Sequence, residues 1–171
     1  HITVRIVLER IPAYAGGKEI IRLEDNYMSK CSEWIEDMLG AIKESQNPEA
    51  ISMIECCGKA CASRKNTEEG IHQLKAQASN CKTRADYVAF LNEKMPVTIT
   101  EVEDGIVMHL GKEGCTCPIS SEISKNTDML CECTRGHEKA VCSNFFGKPV
   151  DIEIVESFLR VGNYCVIKII I

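Results

Sequence analysis

An α+β fold is predicted for this chain of 171 residues, with N-terminal helices packed on a four-stranded antiparallel sheet built from two hairpins joined by a helix. Three observations predict it. Apolar residues recur at intervals of three and four from Tyr27 to Glu93, the period of an amphipathic helix. At Pro96 the period changes to two. The twofold pattern then comes in two blocks, about 97–110 and 150–171, with a helical run between them.

The elements follow in order. Ile2 to Glu9 alternates as a half-buried strand, and Ala15-Gly16-Gly17-Lys18 reads as a flexible connector. Residues 1–26 are therefore expected to be an N-terminal arm, either an edge strand or an appended leader, before a single Cys-rich domain over 27–171. From Tyr27 to Lys43, Met28, Cys31, Ile35, Met38, Leu39 and Ile42 form an apolar stripe, with Trp34 extending it into the core. Glu33, Glu36, Asp37 and Lys43 take the solvent side. Asn47-Pro48-Glu49 is an N-cap, a proline at the first helical position and an acid in the first turn, opening a helix to Ala62. Thr67-Glu68-Glu69 starts a third helix to about Asn80, and Thr83 to Glu93 is a fourth, with Tyr87, Phe90 and Leu91 facing inward. Val97 and Ile99 begin a hairpin that turns at Asp104-Gly105 and returns through Ile106 to Leu110. Arg135 or Gly136 starts a helix that ends at Gly147, just before Pro149. Val150, Ile152 and Ile154 lead into the second hairpin, which turns at Val161-Gly162-Asn163 and closes with Cys165 to Ile171.

Composition narrows the function. A net charge of −5 with no basic patch argues against nucleic acid or an anionic membrane surface as partner, since both are gripped by clustered Lys and Arg. No run approaches the roughly 18 apolar residues of a membrane span. Eleven cysteines in 171 residues fall below the density of a disulfide scaffold, which favours reduced thiols and the cytoplasm. No phosphate loop, G-x-G-x-x-G or His-Glu-x-x-His is present, so nucleotide chemistry is not expected.

The chemistry lies in the cysteines. Between Glu113 and Gly136 two Cys-x-Cys pairs, Cys115 with Cys117 and Cys131 with Cys133, are expected to bring four soft donors together as a metal site. One intervening residue departs from the common zinc spacing, so zinc, an iron–sulfur cluster, a redox pair and plain reduced thiols all fit. Cys57 and Cys61 stand four apart on the second helix and share a face with Ile54, and Gly58 between them allows close approach. That face is expected to turn inward, toward the Cys-rich loop. His137 or His109 could activate a thiol, but His137 follows Cys133 at a helix start, where the dipole favours a thiolate and disfavours an imidazolium. His1 and His72 suggest no role.

The segments CGKACA at Cys57–Ala62, CTCP at Cys115–Pro118, LCECTRG at Leu130–Gly136, FFGKPV at Phe145–Val150 and ESFLRVGNYCVIKI at Glu156–Ile169 resemble an uncharacterised Cys-rich bacterial family. That family is similar in turn to the hydrocarbon-binding 4-vinyl reductase domain and to L-2-amino-thiazoline-4-carboxylate hydrolases. The likeness spans about 27–169. It implies an α+β ligand-binding fold shared with a subunit of vesicle-tethering complexes, a small apolar ligand and a thiol or metal centre. On this basis Cys165 joins Cys57 and Cys61 as cofactor-binding residues, beside Cys115, Cys117, Cys131 and Cys133 for metal. Three functions are carried forward: a small-molecule binding or sensor domain with a metal or redox centre, a cysteine-dependent hydrolase, and an interaction domain with inert thiols. A homodimer is compatible with each.

Overall fold

The computed structural model describes residues 17–110, 114, 115 and 117–171, with side chains from Lys30 onward except Lys65. The strand expected over Ile2–Glu9 lies outside them. Glu36–Ile171 forms one compact unit, and the residues described before it belong to another. The helices are α1 (Gly17–Ser45), α2 (Pro48–Ala62), α3 (Lys65–Gln77), α4 (Arg84–Lys94) and α5 (Leu130–Phe146). The strands are β1 (Thr98–Val102), β2 (Gly105–Leu110), β3 (Asp151–Glu156) and β4 (Cys165–Ile170). The fold is α+β, as expected.

Local chemistry explains most boundaries. Asn47 caps α2 by accepting a hydrogen bond from Glu49 N at 2.9 Å, and Pro48 follows at the first helical position. Thr83 and Asp86 form a reciprocal capping box at α4. Gly147 ends α5 in the left-handed region at φ 69°, which a residue with Cβ enters only under strain. Helix α3 starts at Lys65, two residues before the Thr67 start read from the sequence, and Arg64 caps it without a side-chain bond.

The sheet order is β1-β2-β4-β3, antiparallel throughout. Register pairs Ile106 with Ile169 and Met108 with Ile167 across β2 and β4. These residues point to the helix side, where Ile106, Ile167 and Ile169 are at most 1% exposed. Burial of each stabilises the fold by roughly 1.5–3 kcal/mol on transfer scales. Above them α3, α4 and α5 contribute Ile71, Leu91, Cys142 and Phe145 to one core. Tyr87, Phe145 and Phe146 meet edge to face, with ring centroids 5.0–5.8 Å apart. At the β1 edge the Asn92 amide donates to Ile99 O at 2.7 Å and accepts from Ile99 N at 2.8 Å. It satisfies one residue of that edge as a further strand would.

Three side chains of α1 depart from the stripe read in the sequence, one of them Met38, which is exposed. Trp34 is 65% exposed, so it is not a core residue. Glu36, placed on the solvent side by period alone, is buried. Its carboxylate accepts hydrogen bonds from the Ser124 amide, the Ser124 hydroxyl and the Lys125 amide, and these hold its pKa below the usual carboxylate range, the Ser124 amide most of all. Asn126 Nδ2 donates to Glu36 O at 3.0 Å, and Lys43 pairs with Asp128 at 2.9 Å. The segment leading into α5 is thus fastened to α1 along Ser124–Asp128.

Candidate functional site

The four cysteines expected to converge do not share one centre, and the reason is where α5 begins. A 3-10 turn over Thr127–Met129 runs straight into α5 at Leu130, five residues before the start read from the sequence. Cys131 and Cys133 therefore lie in the first turn of a helix. Two residues apart on a helix is about 200° of rotation, so their side chains leave on opposite faces. No capping side chain marks this start, because Met129 occupies the N-cap position; the acids at Asp128 and Glu132 are the signals present.

On the sheet side, Cys131 is buried and its Sγ lies 3.0 Å from Ser157 Oγ. Cys115 and Cys165 are its sulfur neighbours. All three line a cavity of about 20 Å³, walled by Leu110, Thr134, Ile154, Glu156, Ser157 and Ile167. That is room for about one water-sized atom. Burial pushes the Cys131 thiol up, against the opposing pull of the Ser157 hydrogen bond and of Arg160. Ser157 also accepts from Leu159 N at 3.1 Å, within a loop where Val161 is held at φ 66°. A β-branched residue is rare in that region, and Val161 projects fully into solvent.

On the opposite face, α5 crosses α2 with backbone in contact with backbone. A Cβ on Gly58 would stand 1.9 Å from Cys133 O, and one on Gly136 would stand 2.0 Å from Glu55 O. Only glycine fits either place. Arg135 ties the crossing by pairing with both Glu55 and Glu132, and Glu132 also pairs with Arg160. Cys133 is half-buried here, its thiol pushed up to about 11 by burial first and then by Cys117, Cys57 and Cys61. So the two Cys-x-Cys pairs are shared between two groups: Cys115 and Cys131 with Cys165, and Cys117 and Cys133 with Cys57 and Cys61. Cys61 is half-buried and Cys57 exposed, not turned into the interior as its helical face suggested. Among the described residues no group of three or more His, Cys, Asp or Glu side chains is already arranged to hold a metal ion.

A larger cavity, of about 250 Å³, lies between α3, α4, α5 and the sheet. Its wall is almost wholly apolar, including Ile71, Leu74, Met108, Leu110, Val141, Phe145 and Ile169. Polar atoms enter at Thr67, His137 and Glu138. His137 Nδ1 is 3.0 Å from Glu138 Oε1, and that hydrogen bond raises the His137 pKa against the effect of burial. Cys142 also lines the cavity, and burial drives its thiol far above the ordinary range, so it stays protonated. No motif announces this cavity, because its lining residues are spread over five elements. His109 is exposed on β2, facing away from Met108, which lines the cavity, and His72 is exposed on α3.

The chain belongs to a family of unknown function (DUF6144), whose family model matches residues 13–171. A trafficking protein particle complex subunit 3 from Naegleria fowleri, solved covalently bound to palmitic acid, is similar at 13% identity over 81% of this chain and 93% of that one, with a TM-score of 0.38. No curated protein matches.

Proposed function

We propose that this member of the family is a small-molecule binding or sensor domain that takes an apolar ligand in the 250 Å³ cavity, with Cys115, Cys131 and Cys165 as an adjoining metal or redox centre. The cavity carries the proposal: an apolar recess with a few polar groups at one side is what a small apolar ligand requires. An apolar cavity of about 150 Å³ holds benzene, so this one has room for about ten non-hydrogen atoms. His137 and Glu138 would orient a single polar group on the ligand. Leu110 belongs to the walls of both cavities, so a ligand pressing on it would also press on the thiol group. A soft ion there would be held by the three sulfurs, with Ser157 fixing Cys131.

A thiol hydrolase has less support. Cys131, Cys133 and Cys142 are all pushed up, whereas a catalytic thiol is activated by being brought down. The imidazole of His137 is engaged with Glu138.

The test is thermal unfolding with a panel of alkylbenzenes and medium-chain alcohols. A ligand at 100 times its Kd adds about 2.7 kcal/mol, a rise in Tm of roughly 5–10 °C. The Val141→Trp variant, which fills the cavity, should lose that rise. If no compound raises Tm, or if the variant responds as the wild type does, the cavity is not the binding site.

A further inference from the structure

We propose that Cys57, Cys61, Cys117 and Cys133 form a separate cation site at the crossing of α2 and α5, taking one tetrahedral d10 ion of the zinc class. The backbone contact between Gly58 and Cys133 O places Cys133 beside the helical turn that carries Cys57 and Cys61. These two stand at i and i+4, a spacing within the range that structural zinc sites use. Cys117 comes from a third element, just before the 3-10 turn over Pro118–Ser121, and its carbonyl is fixed by Ser120, whose N and Oγ donate to it at 3.0 and 2.7 Å.

The chemistry selects the ion. All four donors are sulfur, which suits a soft or borderline cation over a hard one. Four donors suit a closed tetrahedron, whereas the sheet-side group has three sulfurs. When the ion binds, four S–H bonds break, four metal–sulfur bonds form and four protons leave to water. The product carries a net charge of −2. Such a charge is tolerable where Cys57 is exposed to solvent. Exposure of Cys57 also gives the ion a way in. Because the thiols are not pre-arranged around a common point, binding pulls the Cys57, Cys61 and Cys117 side chains in around Cys133. Each sulfur then sits about 2.3 Å from the ion.

The experiment uses the full chain, reduced, stripped of metal and titrated with Co²⁺ and then Zn²⁺. One equivalent of cobalt should give the intense visible bands of a tetrahedral thiolate site, and zinc should displace it. Cys57→Ser/Cys61→Ser should abolish those bands and weaken zinc binding by more than the roughly 100-fold that loss of a supporting residue costs. Cys131→Ser/Cys165→Ser should keep them. Single Cys57→Ser changes an exposed position and so leaves the metal-free fold intact; it should shift the cobalt spectrum toward a site with three sulfurs. The proposal is overturned if Cys57→Ser/Cys61→Ser keeps the spectrum, or if the bands vanish in Cys131→Ser/Cys165→Ser instead. Neither result bears on ligand binding in the apolar cavity, which the melting experiment reads separately.

Discussion

The two faces of α5 are packed in opposite ways. Toward the sheet, side chains do the packing: Cys131, Cys142 and Phe145 are buried against strand and helix residues. Toward α2 the backbones themselves meet, at Gly58 and Gly136, and a charged strap from Arg135 closes the contact. One short motif, Cys131-Glu132-Cys133, serves both faces. The first sulfur is enclosed and hydrogen-bonded to Ser157, while the second sits in a partly open group of thiols. The difference teaches that two cysteines separated by one residue on a helix leave on opposite faces and so join different surroundings.

Substitution at the backbone contact should break this arrangement most severely. Gly58→Ala places a methyl group where Cys133 O stands, and the obstacle is backbone, so the helices must separate. We expect a loss of about 3 kcal/mol, at the upper end of overpacking costs, measured by urea unfolding. A loss under about 0.5 kcal/mol would mean that α2 and α5 do not meet so closely. Next in size is the contrast between the sulfurs themselves. Cys131→Ala opens a gap in a buried place and leaves the Ser157 hydroxyl with Leu159 N alone, and should cost about 1–2 kcal/mol. Cys133→Ala removes a half-buried thiol and should cost less than half as much. Equal losses would erase the distinction between the faces.

A further contrast is a pH dependence at Cys133. Its folded pKa of about 11 lies above the ordinary value of 9.0, so the folded chain keeps a proton that the unfolded chain gives up. The contribution of this thiol is therefore complete below about pH 9 and is lost as pH rises toward about 11. Measured in metal-free protein, the stability difference between wild type and Cys133→Ser should shift against the wild type across that window. A difference that stays level from about pH 8.5 to about 10.5 would show that burial does not raise the Cys133 thiol.

Much of the frame was legible because it rests on local chemistry. Asn47-Pro48, Thr83 and Gly147 each mark a boundary through their own backbone preferences, and the structure uses all three, whereas the turn read at Asp104-Gly105 falls one residue earlier, on Glu103-Asp104, with Gly105 already paired in β2. The start of α5 was illegible for the converse reason: what holds it is distant, namely Glu36 and Lys43 of α1 gripping Ser124 to Asp128. Glu36 itself looked like a solvent residue, since a period cannot foresee a loop folding over the polar side of a helix. The cysteines were recognisable in the sequence as candidate site residues, but the placement of Cys131 and Cys133 depended on that one boundary. With α5 begun at Leu130, Cys131 and Cys133 divide between its two faces.

The strand order carries a consequence for how the chain reaches its fold. Each hairpin is local, β1 with β2 and β3 with β4, but the seam between them is β2 against β4, joining residues some 60 positions apart, as in the pairing of Ile106 with Ile169. That seam contains the three most enclosed side chains of the sheet. Neither hairpin alone can shelter them, and small isolated hairpins are only marginally stable in water. Closing the seam therefore pays a long loop-closure entropy at one moment. Assembly should be slow relative to helix formation and highly cooperative, with the apolar cavity taking shape only when Cys165–Ile170 slots between its two neighbours.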